Sequence, residues 1–204
     1  IANREKALLQ DLDYENGYSL YVGIPFCPSI CLYCSFGSHP LERWTKRVDE
    51  YLDTLCKELT FIREQMGARK LTTVYIGGGT PTTLEPEQLR RLLSHIQETF
   101  DFTWVKEYTV EAGRPDSITR EKLQVMKEFP VTRISVNPQT MNQKTLDVIG
   151  RKHTVEDTVN IFHMARELEF DNINMDLIIG LPGEGKEEVA HTLQEVEKLH
   201  PDSL

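Results

Sequence analysis

The sequence is poor in cysteine, in tryptophan and in positive charge, and it has no long apolar run. Four cysteines among 204 residues are too few for a disulfide framework in a chain of this size. Three of the four crowd into one short stretch. That pattern fits a reducing compartment, so a cytoplasmic protein is expected. Lys and Arg number 23 against 32 Asp and Glu, for a net charge of −9. This balance argues against the basic stripe of a nucleic-acid binder. No apolar stretch approaches the roughly 20 residues of a membrane span, and no secretory leader pattern stands at the start. Linkers, low-complexity tracts and short-period repeats are missing. The length suits one domain with a sizeable core. Ile1 is not an initiator methionine, and the last residues stop where a helix has ended and a strand is due. A fragment of a longer protein is therefore expected, with a lead-in segment over residues 1–18 and one core domain over 19–204.

What is present is concentrated in the run Ile24-Pro25-Phe26-Cys27-Pro28-Ser29-Ile30-Cys31-Leu32-Tyr33-Cys34. Cys27, Cys31 and Cys34 are spaced C-x3-C-x2-C directly after a strand-like stretch. Tight loops of cysteine thiolates hold iron–sulfur clusters. On a [4Fe–4S] cluster, three thiolates leave one iron open to a small molecule. The bland alternative is structural zinc, which wants four closed ligands, usually as paired units. Only His39 is near enough in sequence to be a fourth, and no second pair follows.

Strand-like and helix-like patterns alternate five times. Strands are expected near 20–24, 72–76, 106–112, 133–137 and 172–179. Helices are expected near 42–66, 85–99, 119–128, 155–169 and 186–199, with a shorter one near 142–149. Repeated β-then-α order implies a parallel sheet. Side chains alternate faces along a strand. Tyr108, Val110 and Ala112 therefore oppose Glu107, Thr109 and Glu111. Ile134 and Val136 oppose Arg133, Ser135, Asn137 and Gln139. Ile173, Met175, Leu177 and Ile179 oppose Asn172, Asn174, Asp176 and Ile178. The apolar faces should pack on helices, which leaves the polar faces pointing together. A dry, empty interior of that kind is costly, so a polar ligand is expected there.

Gly77-Gly78-Gly79-Thr80-Pro81-Thr82 follows the second strand. It is either a strand-exit turn or a place where backbone approaches a ligand closely. The Gly-Lys-Ser/Thr of a phosphate loop is absent. Glu111, Gln139 and Asp176 share the polar phase, and each alone reads equally as a structural polar residue. Arg151 reads as a ligand contact or a solvated residue between helices, and His153 as surface or capping. Cys56 sits beside the helical stripe Val48, Leu52, Leu55, Leu59, Ile62, where a buried apolar cysteine is the default.

Taken with the glycine run, the cysteine loop resembles the signature of the radical S-adenosylmethionine (SAM) enzymes. Further runs narrow the resemblance. Val110-Glu111-Ala112-Gly113-Arg114-Pro115-Asp116, Ile134-Ser135-Val136-Asn137-Pro138-Gln139 and Asn174-Met175-Asp176-Leu177-Ile178-Ile179-Gly180-Leu181-Pro182-Gly183-Glu184 look like the oxygen-independent coproporphyrinogen III oxidase family, closest to its HemZ-like branch. The resemblance implies an α/β partial (β/α)6 barrel, with five units present and the sixth truncated. It implies that Cys27, Cys31 and Cys34 ligate a [4Fe–4S] cluster and that Tyr21, Gly78 and Glu111 touch the cluster-bound SAM. In decarboxylating relatives a second SAM is bound, and Tyr33, Gly79, Thr80, Gln139, Arg151 and Asp176 match its contacts.

The implied reaction is reductive cleavage of SAM to methionine and a 5′-deoxyadenosyl radical. That radical takes hydrogen from a propionate of coproporphyrinogen III; loss of carbon dioxide and one electron leaves a vinyl group. The implied partners are a porphyrinogen or haem and an electron donor such as flavodoxin or ferredoxin. The sequence departs from the decarboxylating enzymes at Phe36, where they typically carry a further cysteine. Family members with phenylalanine there include haem-carrying chaperones, so a haem-binding chaperone is a second expectation. A radical SAM enzyme that methylates the haem ring is a third. Arg43, Lys46, Arg47, Arg114 and Arg151 could bind porphyrin carboxylates, with solvation the default role for most of them.

Overall fold

Alternating apolar positions build the strands of the computed structural model, which describes residues 16–36 and 39–204. In chain order these are β1 (Gly17–Ile24), the short β2 (Phe26–Cys27) and β3 (His39–Pro40), then β4 (Lys70–Gly78), β5 (Glu107–Gly113), β6 (Arg133–Val136) and β7 (Ile173–Asn174). Five form one sheet in the order β1-β4-β5-β6-β7, and every neighbouring pair is parallel. β2 and β3 pair separately. The main sheet is a partial barrel. The lead-in expected over residues 1–18 lies, up to residue 15, outside the described residues.

The helices are α1 (Leu41–Trp44), α2 (Val48–Met66), α3 (Pro86–Thr99), α4 (Arg120–Lys127), α5 (Gln143–Val148), α6 (Val155–Glu167) and α7 (Lys186–Leu199). Their ends follow local chemistry. Pro86 opens α3, and the Gln88 side chain accepts from the Glu85 amide at 3.0 Å. Thr154 and Asp157 cap α6 reciprocally, at 3.0 and 2.7 Å. One expected helix, 42–66, is broken: α1 and α2 are separated by a 3-10 turn at Thr45–Arg47. Heptad-like spacing buries Val48, Leu52, Leu55 and Leu59 of α2, and Leu89, Leu92, Leu93 and Ile96 of α3. Each such leucine contributes about 2 kcal/mol relative to exposure.

The expected face alternation holds through the middle strands. Tyr108, Val110, Ala112, Ile134 and Val136 are fully buried against the helices. It fails in the last. The expected strand over 172–179 is a two-residue ladder followed by one isolated pairing, Gln139 with Leu177. Beyond Leu177 the chain turns. Ile179, expected on the apolar face, is 69% exposed, while Ile178 packs with Leu146, Ile149 and Leu181. Asp176 therefore lies just past the strand. On the far side of β7, Asn174 pairs with Ser203.

Candidate cofactor site

The cysteine loop leaves the carboxyl end of β1, and the glycine run leaves β4 beside it. Gly23 and Ile24 of β1 stand opposite Gly77 and Gly78 of β4. Backbone bonds stitch the two loops together: the Gly79 amide donates to Ile24 O and the Thr80 amide to Phe26 O, both at 2.7 Å. The Leu32 amide ties the loop's far side to Ile149 O at 3.0 Å. None of the four cysteines is in a disulfide; Cys27 and Cys31 are buried and Cys34 half-buried.

Glycine is required by this close approach. A Cβ on Gly79 would stand 2.6 Å from Phe26 O and 3.0 Å from Cys27 Sγ. Gly78 has φ +106°, a conformation L side chains rarely adopt. The Thr80 hydroxyl donates to Cys27 Sγ at 3.6 Å.

Across from the sulfurs lies a network of acids, amides and one guanidinium. Arg151, 6% exposed, donates to the Tyr33 hydroxyl from Nε (3.2 Å) and Nη2 (3.0 Å), and to Asn137 O from Nη1 (2.6 Å). The Asn137 Oδ1 accepts from the Asp176 amide at 3.2 Å. Asn174 Nδ2 donates to Asp176 Oδ1 at 2.7 Å. The Tyr75 hydroxyl donates to Glu111 Oε2 at 3.4 Å. Burial first, and the Asp176 carboxyl second, push Glu111 up to about 7. Burial also raises the Tyr75 phenol, helped by Glu111.

These parts surround one cavity of about 270 Å³. Its wall holds Cys27, Cys31 and Cys34 with Tyr33 of the same loop, Gly78, Gly79 and Thr80 of the glycine run, and Glu111, Gln139, Arg151 and Asp176. Tyr21 stands in the adjoining hollow, which shares Phe36, Gly78 and Gly79 with it. Tyr21 stacks on Tyr75 with ring centroids 5.8 Å apart. Every residue expected at the cluster or at SAM is thus in this wall or beside it. A hollow of about 330 Å³ around Trp44 and Tyr51 has no cysteine in its described lining.

Several expectations are corrected. Of the two readings of Arg151, ligand contact or solvated residue, the solvated one fails, because the side chain is buried. Arg114 is 3% exposed and committed to Asp116, Ser29 and Cys31, so it is not available to a porphyrin carboxylate. His153 is 1% exposed, and neither ring nitrogen has a hydrogen-bond partner among the described residues. Burial, with Arg151 next, pulls it down to about 4, so it is neutral. Thr154 takes the capping role expected near His153, and the imidazole turns inward. Cys56 is half-buried, beside the α2 stripe and outside the cavity wall. Tyr75, which no motif marks, shares the polar phase of its strand next to Glu111.

The donor set fits a [4Fe–4S] cluster. Three thiols line one cavity, and Gly79, packed against Cys27 Sγ, has no room for a side chain. Among the described residues, no three His, Cys, Asp or Glu side chains gather around a single ion; a four-iron cluster does not ask for that, since each thiolate takes a different iron. No helix among the described residues is long and apolar enough to cross a membrane.

Comparison with known proteins agrees with this geometry. The model of the radical SAM superfamily matches residues 21–196. The chain is 46% identical, over all of its length and 42% of the relative's, to the oxygen-independent coproporphyrinogen-III oxidase-like protein HemZ of Bacillus subtilis. It is 40% identical to heme chaperone HemW of the same organism, over 86% of this chain and 46% of that one. The solved structure of coproporphyrinogen III oxidase (HemN) from Escherichia coli superposes with a TM-score of 0.84 at 33% identity, covering 97% of this chain and 45% of that one. The chain thus spans less than half the length of these relatives. Radical SAM proteins use a [4Fe–4S] cluster and SAM. The chain belongs to the radical SAM superfamily.

Proposed function

We propose that residues 19–204 are the cofactor-binding core of a radical SAM oxidoreductase that oxidatively decarboxylates the propionates of coproporphyrinogen III in anaerobic haem biosynthesis. The observation that carries this reading is the shared wall of Cys27, Cys31 and Cys34 with Gly78, Gly79 and Glu111. When bound, the cluster supplies the electron that cleaves the sulfonium of SAM. The chain's own residues do the rest. The three thiols hold the cluster. The Gly78–Gly79 backbone admits the methionine part of SAM, and Tyr21 and Glu111 contact the same molecule. Arg151, braced by Tyr33, offers its guanidinium to a carboxylate. With Tyr33, Gly79, Thr80, Gln139 and Asp176 it would hold a second SAM. Reducing cytosol suits these thiols, and flavodoxin or ferredoxin suits as electron donor.

A specific observation favours a second reading. Phe36 lines the cavity mouth and is 73% exposed, where decarboxylating enzymes carry a cysteine. A haem-binding chaperone that keeps the cluster would suit that apolar lip. A haem-ring methyltransferase is the third reading, separated by product mass. The test is anaerobic reconstitution of the full-length protein with iron and sulfide. SAM cleavage is then measured with and without coproporphyrinogen III. Deoxyadenosine with carbon dioxide loss from the porphyrinogen is the expected result. Haem binding without porphyrinogen turnover favours the chaperone. No deoxyadenosine in any condition overturns the radical-enzyme reading.

A further inference from the structure

Arg114 is a charged side chain buried beside a thiol, and the reading above gives it no task. It sits on a loop built to stay in place. Gly113 has φ +64° and turns the chain out of β5. The Arg114 carbonyl then accepts from the Ser117 amide at 2.9 Å and hydroxyl at 2.8 Å. Lys122 Nζ donates to Ser117 O at 3.1 Å and to Thr82 O at 2.7 Å, which fastens this loop to the glycine run. From that platform the guanidinium reaches the cysteine loop. Nε and Nη2 donate to the two Asp116 oxygens at 3.0 and 2.7 Å. Nη1 donates to Ser29 O and Oγ, both at 2.9 Å, and to Cys31 Sγ at 3.6 Å.

The energetics of this arrangement are informative. Desolvating an ion pair costs about as much as the pair returns, so burial of Arg114 is poorly explained by stability alone. The pair is also lopsided: the Arg114 side chain is 4% exposed and that of Asp116 20%. Water screens the carboxylate more than the guanidinium. Cys31 therefore feels a net positive charge and an N–H donor.

We propose that Arg114 is a positioning residue that pins the cysteine loop through Ser29 and sets the reduction potential of the centre bound there through its N–H···S contact with Cys31. This rests on the cluster reading of the three thiols. A donor and a positive charge at a ligating sulfur favour the reduced state, which carries one more negative charge, so they raise the potential. A purely structural role predicts the opposite sign on removal. A loosened, wetter loop also solvates the more negative state, and the potential then rises.

The experiment is an electron-paramagnetic-resonance-monitored redox titration of reconstituted full-length protein, with iron and sulfide content determined on each sample. R114M is expected to shift the midpoint down by about tenfold in the reduction equilibrium, ~59 mV for one electron. R114K keeps the charge but cannot serve Asp116, Ser29 and Cys31 together, and is expected in between. S29A keeps the carbonyl acceptor and the sulfur contact, and is expected at the wild-type potential. A midpoint unchanged or raised in R114M overturns the proposal. If R114M holds no cluster, R114K decides: a lowered midpoint supports the proposal, and a wild-type or raised one overturns it. Failure of the wild-type protein to assemble four iron and four sulfide overturns the cluster reading itself, and this inference with it.

Discussion

Glu111 offers a sharp test of the site through pH. Its carboxyl is pushed up to about 7, first by burial and then by Asp176. A group with that value is about one-eleventh ionised at pH 6 and about ten-elevenths at pH 8. SAM carries a net positive charge and hydrogen-bond donors, so it prefers the ionised carboxylate. Below pH 7 binding must first expel the proton. Affinity therefore falls about tenfold from pH 8 to pH 6 on this account, ~1.4 kcal/mol. If the amine of SAM binds as a metal ligand it would also lose a proton, which would give any variant a slope of the same sign. The difference between wild type and E111Q isolates the Glu111 part. Anaerobic calorimetry of SAM binding to oxidised, reconstituted full-length protein reads it without cleavage. Wild-type affinity should fall about tenfold more than that of E111Q across this window. Identical slopes refute the reasoning. The same shift has a stability sign. The folded value lies above the ordinary 4.5, so the favourable contribution is whole below pH 4.5 and is lost as pH rises through 7. E111Q should therefore gain on wild type in melting temperature at pH 8, and much less at pH 5.

Gly79→Ala places a methyl 2.6 Å from Phe26 O and 3.0 Å from Cys27 Sγ; overpacking of this kind costs about 1–3 kcal/mol. Urea unfolding should show that loss, together with reduced iron retention. Tyr33→Phe removes the acceptor of two Arg151 bonds, at 3.0 and 3.2 Å. It should cost about 1–3 kcal/mol in the same assay, because a buried charge loses its partner. Substituting serine for Cys27, Cys31 or Cys34 should abolish cluster assembly, judged by iron and sulfide content. Cys56→Ser, outside the cavity wall, should leave both contents unchanged.

The strand order and the polar interior were legible because they rest on period-two alternation, which neighbouring residues along the chain report. Glu111, opposite the buried Val110 and Ala112, is found by that count alone. The same count failed at Ile179. Periodicity says nothing of where a strand ends, and the pairing of Gln139 with Leu177 draws the chain away from β7. The continuous helix expected over 42–66 failed similarly. The apolar stripe starts at Val48, and the three residues before it form the 3-10 turn Thr45–Arg47, which apolar spacing does not report.

Buried charge was the part least open to sequence reasoning, and the reason is physical. An arginine is solvated by default, and only a partner brought from elsewhere reverses that. Arg151 finds Tyr33, and Arg114 finds Ser29 and Cys31; all three partners lie in the cysteine loop, far away in sequence. Closed eight-stranded barrels fill their middle with branched apolar side chains. Here that space is lined by the half-buried Glu111, the exposed Asp176 and the buried Arg151, and neither Glu111 nor Arg151 would be chosen for stability alone. Most of these charges stand at the carboxyl ends of strands, where both signature loops also emerge. The costly residues and the recognisable motifs therefore coincide in space, although they are scattered along the chain. A ligand of mixed charge, with a cationic centre, an amine and a carboxylate, would offset both signs of that buried charge at once, as a purely anionic or purely cationic one would not.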